Sequence, residues 1–327
     1  MMLAVLPFDP SAGPTPRLGE LPEPVAGPGE VLVRVRATAL NRADLLQMRG
    51  LYPPPPGESE VPGLECAGEV AALGDGVADW RIGERVMALL AGGGHAERVA
   101  VPAGQLMRIP GRLTWEQAAA LPEAALTSWT NLRVEGGLEA GQSVLITAAA
   151  SGVGTFAVQL ARELGARVLV AGRDPERLER LRPLGAEHCL PLDDELTRRA
   201  REAAGGDGVD LVLDLAGGNW LPAALAALRP RGRLVLVGIL AGARAEIDLA
   251  DVLRRRLQLV GSVLRARSRA EKAELVAGFM SFAGPRLAAG ALRPVIDRVM
   301  PFSRIAEAYA TMARGGLFGK LVLRLDG

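Results

Sequence analysis

The chain has 327 residues, 49% of them hydrophobic and 23% charged, with a formal net charge of +1. That length predicts about two domains with sizeable cores. The near-neutral balance, without a long run of one sign, excludes the electrostatic footprint of a nucleic-acid binder and leaves a small molecule as the expected partner.

No stretch reaches the ~18 apolar residues of a membrane span, and the opening "MMLAVLPFDP" lacks the basic region of a secretory leader, so a cytoplasmic protein is expected. The two cysteines, Cys66 and Cys189, make no disulfide framework and are expected as buried thiols. Among the basic residues only Lys272 and Lys320 are lysine.

The first third reads as short strands separated by turns. "EVLVRVRATAL" (30–40) alternates aliphatic residues with arginine at period two, which predicts a half-buried strand. "GEVAALG" and "GERVMALL" predict further strands, and the prolines of "YPPPPGE" exclude regular structure because they donate no backbone hydrogen bond. "GGGHAERV" (92–99) predicts a glycine turn that leaves His95 exposed, the alternative being a contact with a nicotinamide. Thr114 and Gln117 form a capping-box pattern before "WEQAAAL", and Pro122 separates that helix from "EAALTSWTNLRV". The boundary is expected here, giving a β-rich domain of residues 1–121 and 265–327 and a second domain of 122–264.

From 143 to 262 the pattern alternates. "SVLITA", "RVLVA", "VDLVLDL", "RLVLVG" and "LQLVGS" have the length and β-branched content of buried parallel strands, with helices predicted at 153–164, 175–184, 194–204, 220–228 and 249–256. His188 and Cys189 fall in a further strand. This is a doubly wound α/β sheet. The last 60 or so residues predict a helix near 269–282, a strand "LRPVIDRVMP", a helix "IAEAYATMARG" and a strand "KLVLRL", too few to form a third core.

At the first strand–helix junction the small residues Ala149, Ala150, Ser151, Gly152, Val153 and Gly154 fit a phosphate-binding turn, where the helix N-terminus favours negative charge. Ala149 and Ser151 replace the first two glycines of G-x-G-x-x-G, but the position in the alternating series supports a dinucleotide, with Ser151 as an added hydroxyl donor. The second strand ends at Gly172, where an NAD enzyme carries an acidic residue, and Arg173 and Arg177 can clamp a 2′-phosphate. NADPH is therefore expected over NADH, the alternative being that Asp174 serves the ribose. Gly238 and Ile239 end a strand on the ligand-bearing edge and are expected to border the cofactor.

The loop "AAASGVGTFAVQLAR", the earlier "NRADLLQMRGLYPPPPG" and the ending "LFGKLVL" resemble the quinone oxidoreductase, or zeta-crystallin-like, branch of the medium-chain dehydrogenase/reductase superfamily, and within it the group that includes the tumour-suppressor-inducible quinone oxidoreductase. The resemblance runs nearly end to end. It implies a GroES-like catalytic domain split between the chain ends, a Rossmann domain between them, a homodimer built through the cofactor domain, and NADPH-dependent quinone reduction without zinc. It departs from the family at Ser151 and at Arg49, which stands one place later than usual.

Zinc-dependent relatives have a cysteine where this chain has Asn41 and a histidine where it has Leu64. Catalytic zinc needs about three protein ligands, and His188 and Cys189, adjacent in a strand, point to opposite faces. No metal is expected, and Glu65 is expected as a network carboxylate. The resemblance points to Asn41 and Tyr52 as site-lining donors and to Asp44 as an orienting group; the alternatives are a turn cap, packing on the prolines and a helix cap. Thr127 is the expected nicotinamide neighbour. Lys320 can reach either a cofactor phosphate or a surface carboxylate. Two other functions remain open: an enoyl or alkenal double-bond reductase, and a cofactor-binding structural or RNA-binding protein.

Overall fold

A computed structural model describes residues 1–111 and 113–325. The chain divides into two compact units, Met1–Leu126 with Leu264–Gly327, and Thr127–Val263.

The first unit is built on a seven-stranded sheet. Its path runs Ile296–Pro301, Lys320–Arg324, Glu30–Ala39, Glu65–Leu73, Arg85–Leu89, Leu106–Arg108, and Arg98–Pro102 pairs with Glu30–Ala39 off that path. The closing strand lies antiparallel to Glu30–Ala39, with Val322 opposite Ala39. Val31, Val33 and Val35 pack in one core with Val86, Leu106, Leu321 and Leu323. Strand 30–39 is more enclosed than its alternation predicts, and only Arg34 is exposed. Its register shifts at Leu32/Val33 and Val35/Ala37, and such bulges bend a strand so that neighbours cover both faces.

The second unit is a six-stranded sheet in the order His188–Pro191, Arg167–Gly172, Ser143–Thr147, Val209–Asp214, Leu228–Leu236, Gln258–Gly261. All its pairings are parallel. Numbered within the unit this is 3-2-1-4-5-6, the Rossmann order, and its topological switch point lies between Ser143–Thr147 and Val209–Asp214. Four of the five apolar runs became inner strands with both faces covered, whereas "LQLVGS", expected as a buried strand, forms the largely exposed edge strand Gln258–Gly261. The helix predicted at 175–184 stops at Glu179; a 3-10 turn over Arg182–Leu184 follows, where Pro183 has no N–H to continue an α-helix.

The architecture is α/β, a GroES-like β-rich unit and a doubly wound parallel sheet. Among the described residues no helix is long and apolar enough to cross a membrane.

Candidate active site

In the second unit the strand Ser143–Thr147 leads through Ala148, at a left-handed φ of 47°, into helix Gly152–Glu163. Ser151 caps that helix: its Oγ accepts from the Gly154 N–H at 3.1 Å. A Cβ at Gly154 would stand 2.5 Å from the Ala149 backbone, so only glycine lets helix and strand end approach this closely. Gly152 and Val153 sit in the first turn, where amide N–H groups have no carbonyl of their own helix to bond. This cradle fits a dinucleotide diphosphate. Ser151 therefore has a capping role that sequence alone did not reveal, and its own hydroxyl hydrogen is still available to a phosphate.

Asp214, not singled out from the sequence, braces the switch point. Its Oδ1 accepts from Thr147 Oγ1 at 2.6 Å and from the amides of Ala216 and Gly217 at 3.0 and 3.1 Å, while its buried Oδ2 has no partner. Asp174 caps Pro175–Glu179, accepting from the Arg177 N–H at 3.2 Å and pairing with its guanidinium at 2.8 Å. Arg173 is exposed, Gly172 half-buried, and Gly238 half-buried beside an exposed Ile239. Thr127 is buried and its carbonyl accepts from Asn131 Nδ2 at 2.7 Å.

The first unit holds a polar cluster assembled from five distant segments. Glu65, fully buried at the start of its strand, has both carboxylate oxygens occupied: Oε1 accepts from Lys320 Nζ and from Asn41 Nδ2 (2.9 Å), and Oε2 from the backbone N–H of Glu123 (2.9 Å). Lys320, only 4% exposed, also donates to Leu40 O (3.1 Å) and Asn41 Oδ1 (2.6 Å). Its three N–H donors all end on protein oxygens, which corrects the expectation of a cofactor phosphate or a surface carboxylate: the partner is a buried carboxylate. Asp44 accepts from the Asn41 N–H (2.7 Å) and the Gly63 N–H (3.2 Å), holding the two segments that carry Asn41 and Glu65 together.

Tyr52 is partly exposed under the Arg265 guanidinium, 5.1 Å from its ring centroid. Arg265 is buried and donates to Ala91 O (2.7 Å), Tyr52 O (2.9 Å) and Gln47 Oε1 (2.7 Å). Glu123 opens helix Pro122–Trp129. Burial, then the Glu65 charge, pushes the Glu123 carboxyl up to about 8 against the pull of Lys320. Burial and the charge of Glu123 also raise the Tyr52 phenol. Lys272, on helix Arg269–Ala288, is 2% exposed, and burial lowers its ammonium. The sequence signal for this cluster was the rarity of lysine: both lysines sit in it.

Two expectations are corrected. His95 is fully buried, not exposed. Its N–H donates to Pro62 O at 2.9 Å, and a Cβ at Gly63 would stand 2.4 Å from that nitrogen, so the glycine turn is packed against the "VPG" segment. Its Nδ1 lies 3.0 Å from the Tyr309 hydroxyl, and burial lowers its pKa. Cys66 is buried as expected, with a raised thiol, whereas Cys189 is half-buried because its strand lies at the sheet edge, its thiol donating to Leu178 O at 3.1 Å.

Among the described residues no three His, Cys, Asp or Glu side chains gather as a metal site. The donor set around Glu65 and Asn41 is already closed by an ammonium and does not fit a metal cation as well.

Residues 27–111 match the alcohol dehydrogenase GroES-like domain and residues 152–279 the zinc-binding dehydrogenase family. The human synaptic vesicle membrane protein VAT-1 homolog is 34% identical over 316 residues, 92% of this chain and 80% of that protein. A quinone oxidoreductase of Pseudomonas syringae pv. Tomato superposes with a TM-score of 0.87 at 27% identity, covering 99% of this chain and 100% of that one. A mycobacterial protein complexed with NADPH gives the same score and identity, with the same coverage. The chain is an oxidoreductase of the medium-chain dehydrogenase/reductase superfamily. It belongs to the quinone oxidoreductase branch of that family.

Proposed function

We propose that this oxidoreductase transfers electrons from NADPH to a quinone and works without zinc. The observation that carries the cofactor preference is the engagement of Asp174 by the amide and guanidinium of Arg177. Arg177 and Asp174 engage each other, so a ribose would compete with an ion pair for the carboxylate, whereas Arg173 is exposed and suited to a 2′-phosphate. The NADPH complex of the mycobacterial neighbour supports the same preference.

When bound, the nicotinamide would supply a hydride. The chain's own residues do the rest: the Gly152 and Val153 amides and the Ser151 hydroxyl bind the diphosphate, Arg173 takes the 2′-phosphate, and Gly238 and Ile239 border the cofactor. Thr127 backs the nicotinamide and Tyr52 lines the substrate site; Asn41, whose amide N–H groups donate to Glu65 Oε1 and Ala39 O, borders it as a fixed side chain and not as a donor, with Asp44 fixing its segment. A quinone accepts electrons without an alkoxide having to be held, so an ammonium in place of a metal is compatible with the reaction. The reading includes a homodimer through the second unit, supported by the edge strand Gln258–Gly261, which leaves Leu259 exposed.

The test compares NADPH oxidation with 1,2-naphthoquinone and with a 2-enoyl thioester at matched concentrations. Faster thioester turnover refutes the quinone assignment in favour of double-bond reduction. In binding titrations Arg173→Ala should weaken NADPH by roughly 10–100-fold, the loss expected for a charged hydrogen bond, and leave NADH unchanged. Equal effects on both cofactors would reject the phosphate clamp.

A further inference from the structure

Three side-chain polar groups of the first unit stand outside the hydrogen bonding of its cluster. The Tyr52 hydroxyl, the Glu123 carboxyl and the Lys272 ammonium make no side-chain hydrogen bond to any described residue, although the groups around them are closely bonded. Lys272 is 2% exposed as a whole residue. Glu123 acts on both Tyr52 and Lys272, on Lys272 after Glu58. Tyr52 and Glu123 are partly open to solvent. The Glu123 amide is bonded to Glu65 Oε2 at 2.9 Å and Tyr52 lies under Arg265, so both stand at the bonded cluster, and bonding capacity that no described residue uses suits an oxygen-bearing ligand.

The charges fit a ligand that becomes negative. Asp44 and Glu65 supply two buried carboxylates; Lys320, Lys272 and Arg265 supply three buried cations. With Glu123 neutral, and with Glu58, which also acts on Lys272 and Arg265, paired with Arg269 at 3.7 Å, the cluster carries one excess positive charge, which suits an oxyanion.

We propose that Glu123 is the acid that gives the reduced substrate its proton, with Lys272 and Tyr52 holding the oxygen that receives it. This rests on the quinone-reductase reading and adds Glu123 and Lys272, which that reading did not assign, to Tyr52, which it did. After a quinone takes up a hydride, it has gained two electrons and one hydrogen and carries an oxyanion. The O–H bond of Glu123 breaks, a new O–H bond forms on that oxygen, the hydroquinone leaves, and the carboxylate regains its proton from water. A carboxyl raised to about 8 is protonated at neutral pH and close to the optimum for such a donor. The groups that face it are Glu65, Asp44, Lys320, Lys272, Tyr52 and Arg265.

The test uses Glu123→Gln and Glu123→Asp in two measurements. Infrared spectroscopy of the protein without cofactor should show a protonated-carboxyl band in wild type that titrates away near pH 8 and is missing from Glu123→Gln; absence of that difference overturns the proposal. In quinone turnover with NADPH, wild-type kcat should fall as the pH rises through the same range. Glu123→Gln should lose roughly 100-fold in kcat and the pH dependence, with NADPH affinity unchanged, and Glu123→Asp should recover part of both. Equal kcat and an unchanged pH profile in Glu123→Gln overturn the proposal while leaving the quinone-reductase reading intact. A wild type that binds NADPH but reduces no quinone overturns both, even where the infrared band is present.

Discussion

Lys320→Met removes the ammonium from the buried cluster while keeping most of the side-chain volume. Its loss leaves the Glu65 carboxylate without a counter-charge, and Leu40 O and Asn41 Oδ1 without the donor that serves them at 3.1 and 2.6 Å. With the two side chains only 5% and 0% exposed, water cannot replace the lost bonds in place. Removing one partner of such a pair costs about 3–5 kcal/mol. In a unit of about 190 residues, that corresponds to a Tm lower by roughly 6–20 °C. The assay is thermal unfolding, with hydrogen exchange on peptides covering 30–39 and 320–324 to assign the transition to this unit. The double variant Lys320→Met/Glu65→Gln should recover much of the loss, since it removes the orphaned charge. A Tm within 2 °C of wild type, or no recovery in the double variant, would refute the view that the two charges depend on each other.

Gly154→Ala would press a methyl group against the Ala149 backbone at 2.5 Å; NADPH binding measured by fluorescence should weaken by at least about tenfold as the turn is forced open, and unchanged binding would contradict the cradle. Arg265→Met removes the donors to Ala91, Tyr52 and Gln47. It should raise KM for the quinone more than it lowers kcat, through a loosened Tyr52, with NADPH affinity unchanged; the reverse pattern, a kcat effect alone, would argue against a positioning role.

The inner strands of the Rossmann sheet were legible because they are covered on both faces and so read as continuous apolar runs, whereas the edge strands His188–Pro191 and Gln258–Gly261 are more exposed. Thr114 was legible as a cap because its partner is three residues away, and its Oγ1 does accept from the Gln117 N–H at 3.2 Å. The cluster was not legible in this way. Asn41 and Glu65 are 24 residues apart, Glu65 and Glu123 58, and Glu65 and Lys320 255, and no periodicity connects residues that meet only through sheet pairing. His95 was misread for a related reason: consecutive glycines suggest freedom, but here they permit backbone to pack against backbone at Gly63. The scarcity of lysine in an arginine-rich chain was the compositional trace of the cluster, and its meaning emerged only once Lys272 and Lys320 were seen in one unit.

The Glu65–Lys320 bond also sets an order of events during synthesis. A ribosome adds about 5–20 residues per second, so the carboxylate emerges tens of seconds before the lysine that neutralises it. The inserted Thr127–Val263 unit is complete in the meantime. A nascent chain therefore exposes a finished dinucleotide fold beside a sheet still lacking the strand Lys320–Arg324 and its charge, so the substrate-handling half matures last.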